Sequence, residues 1–330
     1  MVMKLTFWGV RGSLSSGERP DEELVRLKNL LTRYEQLRSS STEAASDQFI
    51  DNFLKNNKDL FSLYGSHTIC LEVATAKHNI FIDGGSGMLR LASKLLQGPC
   101  GQGKGEINIF FTHFHWDHIV GLPFFTPFYI KGNKINLYAV QPELEDIIKL
   151  VFTKPMFPVP FDVLPSTIKF HTLKPREKFR VGDIELCPYA LDHPDPCWGY
   201  KITDGKGTFS HCVDTSATRV SDKSLGPDLP LYQNTDLMIF DAQYSFEEQL
   251  EKLDWGHSSA NIGIDIGLKR KIPRIVFIHH DPLARPNKIR ELEQLAMKYY
   301  NLQLKSLKKQ GREVHEIDIT FGHEGLIVEV

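Results

Sequence analysis

This sequence of 330 residues has few cysteines and no long apolar runs, and neither sign of charge dominates. The five cysteines are odd in number, widely spaced and without a CxxC pair, which argues against a disulfide framework and favours a reducing compartment. The formal net charge of -2 gives no general basic footprint for long nucleic acid. No apolar run approaches the ~18 residues of a membrane span, and the apolar start is too short for a signal peptide. We therefore expect a soluble, cytoplasmic protein without a membrane partner.

The composition is that of an ordinary globular protein, with 41% hydrophobic and 24% charged residues. A chain of this length forms either one large domain with insertions or two domains, and composition does not choose between them. Two successive sets of apolar strands alternate with helical patterns, which predicts an α/β fold of two sheets packed face to face with helices outside. The predicted strands are 3–8, 68–74, 79–82, 107–111, 134–140, 168–172, 181–190, 199–203, 208–213, 237–240 and 274–278; the predicted helices are 88–96, 143–152, 246–253, 258–268 and 288–305.

The segment 20–63 interrupts this alternation with residues at helical spacing. It predicts two amphipathic helices separated by the polar tract 39–42. Their apolar stripes must pack on the rest of the domain, over a functional site, or against another subunit. The sequence leaves these alternatives open, and a homodimer through the segment is one expectation. The stripes are Leu24, Leu27, Leu31, Tyr34 and Leu37 in the first helix, and Phe49, Phe53, Leu54 and Phe61 in the second.

A dense cluster of metal-ligand residues follows the apolar strand 107–111. Three histidines and an aspartate, His113, His115, Asp117 and His118, fall within six positions. Neutral imidazole suits divalent zinc, and a carboxylate can bind the same or a neighbouring ion. The cluster therefore predicts one metal ion and allows two.

Further ligand candidates lie directly after other apolar strands. A binuclear site needs ligands from several strand ends, because no single segment surrounds two ions. His193, Asp214 and His279 each occupy such a position. His280 would point to the opposite face from His279, so only one of the two can be a ligand, and the strand end favours His279.

With these residues the sequence resembles the metallo-β-lactamase fold superfamily. The HxHxDH signature of that superfamily is formed here by His113, His115, Asp117 and His118. The resemblance runs from Lys4 to the end of the chain apart from the insertion. It implies an αββα sandwich and a single domain over residues 1–330 with a helical insertion at about 20–63. It also implies two divalent ions, which we expect to be Zn2+, with Mn2+ or Fe2+ as alternatives.

The resemblance also assigns the ligands and one supporting residue. The first metal would be bound by His113, His115 and His193, the second by Asp117, His118 and His279, with Asp214 bridging them. Asp83, at the strand end before a glycine-rich turn, would hydrogen-bond the ligands without binding metal.

Two later segments resemble ribonuclease Z and related phosphodiesterases. In those enzymes an acidic residue orients a histidine that protonates the leaving group, and Asp241 and His257 occupy the matching positions. This chain has Asp where ribonuclease Z has Glu, a shorter reach. We take His257, Asp241 and the ligand Asp117 as the catalytic residues. The alternative for His257 is that it caps the helix that follows.

The resemblance narrows the expected reaction. Flavodiiron oxygen reductases have a Glu where this chain has His115, which disfavours a redox role. The glycine-rich basic arm with which ribonuclease Z binds tRNA has no equivalent here, which favours a small phosphodiester, such as a cyclic nucleotide, over long nucleic acid. We expect hydrolysis through a metal-bridging hydroxide. A thioester or lactone hydrolase, an RNA-processing endonuclease and a non-enzymatic ligand sensor are the alternatives.

Several residues near these motifs have plainer interpretations. We expect His67 to be an ordinary surface histidine and Cys197 a small residue entering a strand, and the sequence does not decide whether either borders the site. Other histidines have no partner at ligand spacing and are expected to be structural: His78, His171, His211, His315 and His323.

Overall fold

The computed structural model describes residues 2–41, 46–57 and 64–330, in which two seven-stranded β-sheets pack face to face. The first sheet contains β1 to β6 and the final strand β14, in the order β14-β1-β2-β3-β4-β5-β6. Its parallel part runs from β3 to β6, and the remaining pairs are antiparallel. The strands are β1 Lys4–Gly9, β2 Cys70–Ala74, β3 Asn79–Ile82, β4 Glu106–Phe110, β5 Lys134–Ala139, β6 Thr167–Thr172 and β14 Ile327–Glu329.

The second sheet has the order β13-β12-β11-β10-β9-β8-β7. Its strands β10 to β13 are parallel, whereas β7 to β10 pair antiparallel, so β8 runs in the same direction as β10. The strands are β7 Phe179–Val181, β8 Ile184–Ala190, β9 Trp198–Thr203, β10 Thr208–Cys212, β11 Leu237–Asp241, β12 Arg274–Ile278 and β13 Asp318–Phe321.

Helices lie on both outer faces and complete the αββα sandwich, which confirms the predicted fold class. They are α1 Pro20–Ser40, α2 Asp47–Asn56, α3 Met88–Leu95, α4 Trp116–Ile119, α5 Leu144–Val151, α6 Asp222–Leu225, α7 Phe246–Glu251, α8 Ala260–Arg270 and α9 Pro286–Lys309. No helix in the described parts of the chain is long and apolar enough to cross a membrane.

The hydrophobic core has three layers. Phe110 of the first sheet and Tyr200 of the second meet between the sheets, with ring centroids 6.1 Å apart. Leu91 of α3 covers the outer face of the first sheet, and Ile264 of α8 covers that of the second. The central strands are buried on both faces, which explains why their sequences are continuous apolar runs without alternation.

The structure corrects the predicted strand 181–190, which is a hairpin of β7 and β8. Val181 pairs with Ile184 across the two-residue turn of Gly182 and Asp183, a common hairpin sequence placed between apolar residues. The short strands β13 and β14 were not predicted. Their residues are mostly half-buried or exposed, so they lack the apolar run that identified the central strands.

The two predicted helices of the insertion correspond to α1 and α2. No residue of α1 is buried, and Leu24 and Leu31 are 67% and 63% exposed. Tyr34 packs its ring against Phe49 and Phe53 of α2, with ring centroids 5.9 and 5.2 Å apart. The described part of the chain therefore leaves most of the first stripe uncovered, whereas Phe61 of the second lies outside the described residues. The single domain and the homodimer stay predictions.

Candidate metal centre

The candidate ligands meet because the strands that carry them end at one edge of the sandwich. His113 and its neighbours follow β4, His193 follows β8, and Asp214 and His279 follow β10 and β12. The carboxyl ends of strands that run in the same direction lie at the same edge of a sheet, so residues distant in sequence become neighbours there.

The first group of candidate ligands is formed by His113, His115 and His193. One ligand atom from each lies within 4.8 Å of the others, and the ring centroids are 4.4 to 4.8 Å apart. His113 is buried, whereas His115 and His193 are half-buried. This half of the centre is therefore the one nearer to solvent.

The second group is fully buried and consists of Asp117, His118, Asp214 and His279, again within 4.8 Å of one another. Asp214 contacts His118 Nε2 through Oδ2 at 3.0 Å and His279 Nε2 through Oδ1 at 3.1 Å. Its Oδ1 also lies 4.0 Å from His113 Nε2 of the first group. Asp214 therefore lies between the two groups, where the bridging role requires it.

Several buried atoms of the two groups lack a hydrogen-bond partner among the described residues. These atoms are His113 Nε2, His118 Nε2, His193 Nε2, His279 Nδ1 and Asp214 Oδ2. The 3.0 Å contact between His118 Nε2 and Asp214 Oδ2 does not have the angles of a hydrogen bond, so it satisfies neither atom. Leaving buried polar atoms without a partner is costly, and such atoms call for a further explanation such as a bound ion. Imidazole nitrogens and carboxylate oxygens are ligands for divalent zinc, iron and manganese. The residues therefore fit two divalent ions.

The charges of the metal-free groups are strongly coupled. Burial would raise the pKa of Asp214, but the His279, His118 and His113 imidazoles outweigh it and hold this pKa well below its ordinary value. Burial opposes protonation of His279, yet the Asp214, Asp117 and Asp241 carboxylates raise its pKa to about 9. Protons therefore compete with metal ions for these imidazoles.

Asp83 contacts the ligand segment without belonging to either group. Its Oδ2 lies 2.8 Å from His118 Nδ1, and its Oδ1 accepts a hydrogen bond of 2.8 Å from the backbone of Thr112. An acceptor at the non-ligating nitrogen fixes the orientation of a metal-binding histidine. The structure thus places Asp83 where the predicted supporting role requires it.

Three residues of the site adopt left-handed backbone angles at strand ends. The φ angles are 61° at Asp83, 64° at Asp214 and 66° at His279. Non-glycine residues in this region cost on the order of 1–3 kcal/mol each and persist where the surroundings enforce them. The fold therefore holds these side chains in place through the backbone as well as through side-chain contacts.

Asp241 and His257 form a buried pair beside the second group. Asp241 Oδ2 lies 2.9 Å from His257 Nδ1, so the shorter Asp side chain does reach the histidine. His257 Nδ1 is 3.7 Å from Asp214 Oδ1, and its ring stacks on that of His279 at 4.8 Å. Helix α8 has Ser259 as its N-cap, so His257 does not cap it.

The loop after β1 contributes residues that no sequence motif indicated. The Ser13 amide donates a hydrogen bond of 2.7 Å to Asp117 Oδ2. A Cβ on Gly12 would lie 2.3 Å from His279 Cε1, so only glycine allows this loop so close to the ligand. A single sequence cannot predict this close approach, because Gly12 in the sequence looks like a glycine of an ordinary turn.

Of the remaining histidine and cysteine candidates in the described parts of the chain, only Cys197 contacts a residue of the ligand groups through a hydrogen bond. His280 lies outside both groups and donates from Nε2 to the Gly322 carbonyl at 2.8 Å. His67 is half-buried, with Nδ1 3.1 Å from Ser86 Oγ, and is not in either group. Cys197 does border the site, because its Sγ lies 3.7 Å from His113 Nδ1. Burial raises the pKa of this thiol well above its ordinary value.

A family model described as Beta-lactamase superfamily domain matches residues 78–280, more than half of the chain. The chain belongs to this superfamily. Among its relatives, Ribonuclease Z from Crocosphaera subtropica is 22% identical over 242 residues, which cover 57% of this chain and 73% of the relative. The predicted superfamily, its ribonuclease Z-like branch and the class of metal-dependent hydrolase are thereby confirmed.

Solved structures share the fold at low sequence identity. Unliganded yeast PDE1 matches with a TM-score of 0.61 and 16% identity, covering 100% of this chain and 99% of that one. The short form of human tRNase Z matches with a TM-score of 0.58 and 15% identity, covering 98% of both chains. At these identities the likeness establishes the architecture, so the reaction has to be argued from the site.

Proposed function

We propose that this chain is a dinuclear metal-dependent phosphodiesterase that hydrolyses a small phosphodiester of the cyclic-nucleotide type. The observation that carries the proposal is the Asp241–His257 pair, 2.9 Å between Oδ2 and Nδ1, placed beside Asp214 of the ligand groups. A thioester expels a thiolate, which needs little help from an acid, whereas the alkoxide of a phosphodiester must be protonated as it leaves.

In this proposal the ligand groups would hold two ions. His113, His115 and His193 would bind the first, and Asp117, His118 and His279 the second, with Asp214 lying between the two groups. Two divalent ions in such a site would acidify water and offset the negative charge that develops on the phosphoryl group. The Ser13 amide, which donates to Asp117 Oδ2, keeps that carboxylate oriented towards His279 and His118.

His257 acts as the general acid. Its Nδ1–H donates to Asp241, which leaves Nε2 as the nitrogen that delivers a proton to the departing oxygen when the P–O bond breaks. Asp241 is itself fixed, because its Oδ1 accepts hydrogen bonds from the backbone amides of Gln243 and Ser258. The carboxylate thus sets the tautomer and the orientation of the imidazole.

Aromatic and cationic side chains near the catalytic segments support a nucleotide-like substrate. Trp116, between His115 and Asp117, is 61% exposed, and Trp255, two residues before His257, is 63% exposed. Lys252 Nζ lies 4.3 Å from the ring centroid of Tyr244 and 5.6 Å from that of Trp255. Exposed indole rings can stack on a base, and an ammonium group can pair with phosphate.

RNA processing is the second candidate, and the Ribonuclease Z relatives favour it. Both candidates use the same centre and differ in what the surface outside it binds. The near-neutral charge of -2 supports the small substrate.

A substrate panel tests the proposal. The purified protein with its native metal is assayed against an aryl phosphodiester, cyclic nucleotides, a precursor tRNA, a thioester and a lactone. We expect turnover of the aryl ester and of at least one cyclic nucleotide. Cleavage of the tRNA alone would assign the protein to RNA processing, and turnover of only the thioester or lactone would overturn the phosphodiesterase proposal.

A further inference from the structure

One exposed residue contacts two of the three histidines of the first ligand group. Asp195 lies in the loop between β8 and β9, and its Oδ2 is 2.8 Å from His115 Nε2. Its backbone carbonyl is 3.1 Å from His193 Nδ1. The two histidines are 78 positions apart in the chain, so Asp195 connects segments from both sheets.

These contacts determine which nitrogens are free to bind metal. A carboxylate only accepts hydrogen bonds, so His115 Nε2 carries the proton and Nδ1 keeps its lone pair. His193 Nδ1 lies 3.1 Å from the Asp195 carbonyl and 3.3 Å from the Asp195 amide. If Nε2 binds a metal ion, Nδ1 carries the proton and donates it to that carbonyl. His193 Nε2 is then the free nitrogen, and it is buried without a hydrogen-bond partner among the described residues.

The loop that carries Asp195 is held in place although its side chain is 67% exposed. Pro194 and Pro196 flank it and fix two backbone φ angles. The buried amide of Gln141 donates from Nε2 to the Pro196 carbonyl at 2.6 Å and to the Thr112 carbonyl at 3.1 Å. Gln141 therefore ties the loop to the segment that begins the ligand cluster.

The two ligand groups are supported differently. His118 of the second group is held by Asp83, which is fully buried. The first group depends on a surface carboxylate, and surface ion pairs contribute little to folding, with a median of about 0–1 kcal/mol. An acceptor that orients a metal-binding histidine nevertheless changes metal affinity by about 10–100-fold.

We infer that Asp195 is a positioning residue for the first metal, whose removal weakens that ion selectively and leaves the folded chain intact. The inference rests on the two-metal centre proposed above and is independent of the substrate. It predicts that the two ions differ in lability, the one held by His113, His115 and His193 being lost first.

The test counts metal ions in the variants Asp195→Ala and Asp195→Asn, each loaded with zinc and dialysed against graded concentrations of a chelator. Asp183→Ala is the matched control, because Asp183 Oδ1 lies 2.7 Å from Nδ1 of His78 in another surface Asp–His pair. Asp183 lies in the turn before β8, at the opposite end of that strand from His193. Thermal unfolding of the metal-free forms shows whether the fold is affected. None of these readouts requires turnover.

We expect Asp195→Ala to lose one zinc ion at chelator concentrations about 10–100-fold below those that strip the wild type and the Asp183→Ala control. Asp195→Asn should recover much of the affinity, because its amide oxygen still accepts from Nε2–H. Equal retention of both ions in Asp195→Ala, equal weakening of both, or a matching loss of thermal stability in its metal-free form would overturn the inference. A wild type that binds fewer than two ions would instead overturn the two-metal centre itself.

Discussion

Asp241 and His257 form a hydrogen bond of 2.9 Å at the edge of the ligand groups, and both side chains are buried. The pair lies within 3.7 Å of Asp214 on one side and stacks on His279 on the other. An acid in this position matters only for substrates whose leaving oxygen needs a proton. That dependence gives the proposed reaction its most specific test.

Replacing His257 by Ala should therefore reduce turnover according to the leaving group. We expect a loss of about 10²–10⁴-fold for an alkyl or cyclic nucleotide phosphodiester, the usual contribution of a general acid. For a p-nitrophenyl ester the loss should be much smaller, because nitrophenolate leaves without protonation. The measurement is kcat for both substrates, with the metal content of the variant determined alongside. An equal loss for both substrates with metals retained would argue against general acid catalysis.

The close approach of Gly12 to His279 predicts a position-specific effect of adding one methyl group. Gly12→Ala would bring a Cβ to 2.3 Å from His279 Cε1 and 2.7 Å from Gln243 Oε1. We expect this crowding to cost about 1–3 kcal/mol of stability and to displace the ligand. Gly17→Ala in the same loop is the control, since nothing lies within 4 Å of its added Cβ. Chemical unfolding and zinc stoichiometry of the two variants give the comparison, and similar results for both would contradict the expected crowding at Gly12.

The variant Asp83→Ala tests, for the second metal, the same kind of support that Asp195→Ala tests for the first. It removes the acceptor of His118 Nδ1 and leaves the buried Thr112 amide without its 2.8 Å partner. We expect a loss of about 1–3 kcal/mol in unfolding free energy and preferential loss of the second ion. Urea unfolding of the metal-free form and chelator titration measure the two effects separately. A variant as stable as the wild type would show that the Thr112 contact contributes nothing.

The metal-free protein should become less stable as the pH rises. Burial opposes protonation of His279, but Asp214, Asp117 and Asp241 raise its pKa to about 9 in the folded chain. An unfolded histidine titrates at about pH 6.5, so the stabilisation is complete below that pH and is lost as the pH rises through the folded value. We expect the unfolding free energy in a chelator to fall by on the order of 3 kcal/mol over this range.

Urea unfolding between these two pH values measures the effect, and His279→Gln provides the control. The glutamine variant should show a flatter dependence, because it cannot take up the proton. With metal bound the trend should disappear, since the ion replaces the proton on the imidazole. The same slope in the variant would assign the pH dependence to other groups.

The ligand groups can be anticipated from the sequence because each member follows an apolar strand. That position alone marks His193, Asp214 and His279 as candidates, and β10 and β12 run in parallel and end at the same edge of the sheet. Strands buried on both faces give continuous apolar runs, so their ends are easy to recognise. For this reason the sequence alone indicates that the ligand residues 113–118 and the distant residues His193, Asp214 and His279 belong to one site.

Other parts of the site could not be anticipated, because they depend on contacts between loops. Asp195 and Ser13 belong to no motif, and their importance lies in which atoms they approach: His115 Nε2 and Asp117 Oδ2. The exposure of Leu24 in α1 could not be read from helical periodicity either. Periodicity shows that a helix has an apolar stripe, but not whether anything in the chain covers it.

The left-handed backbone at Asp83, Asp214 and His279 has a consequence for how metal enters. Each of these conformations occurs at a strand end, so the fold positions the ligand side chains before an ion binds. Small zinc modules fold only around their metal. Here the chain should be able to exchange one divalent ion for another while staying folded, so that the ion found in the cell is set by supply as much as by the protein.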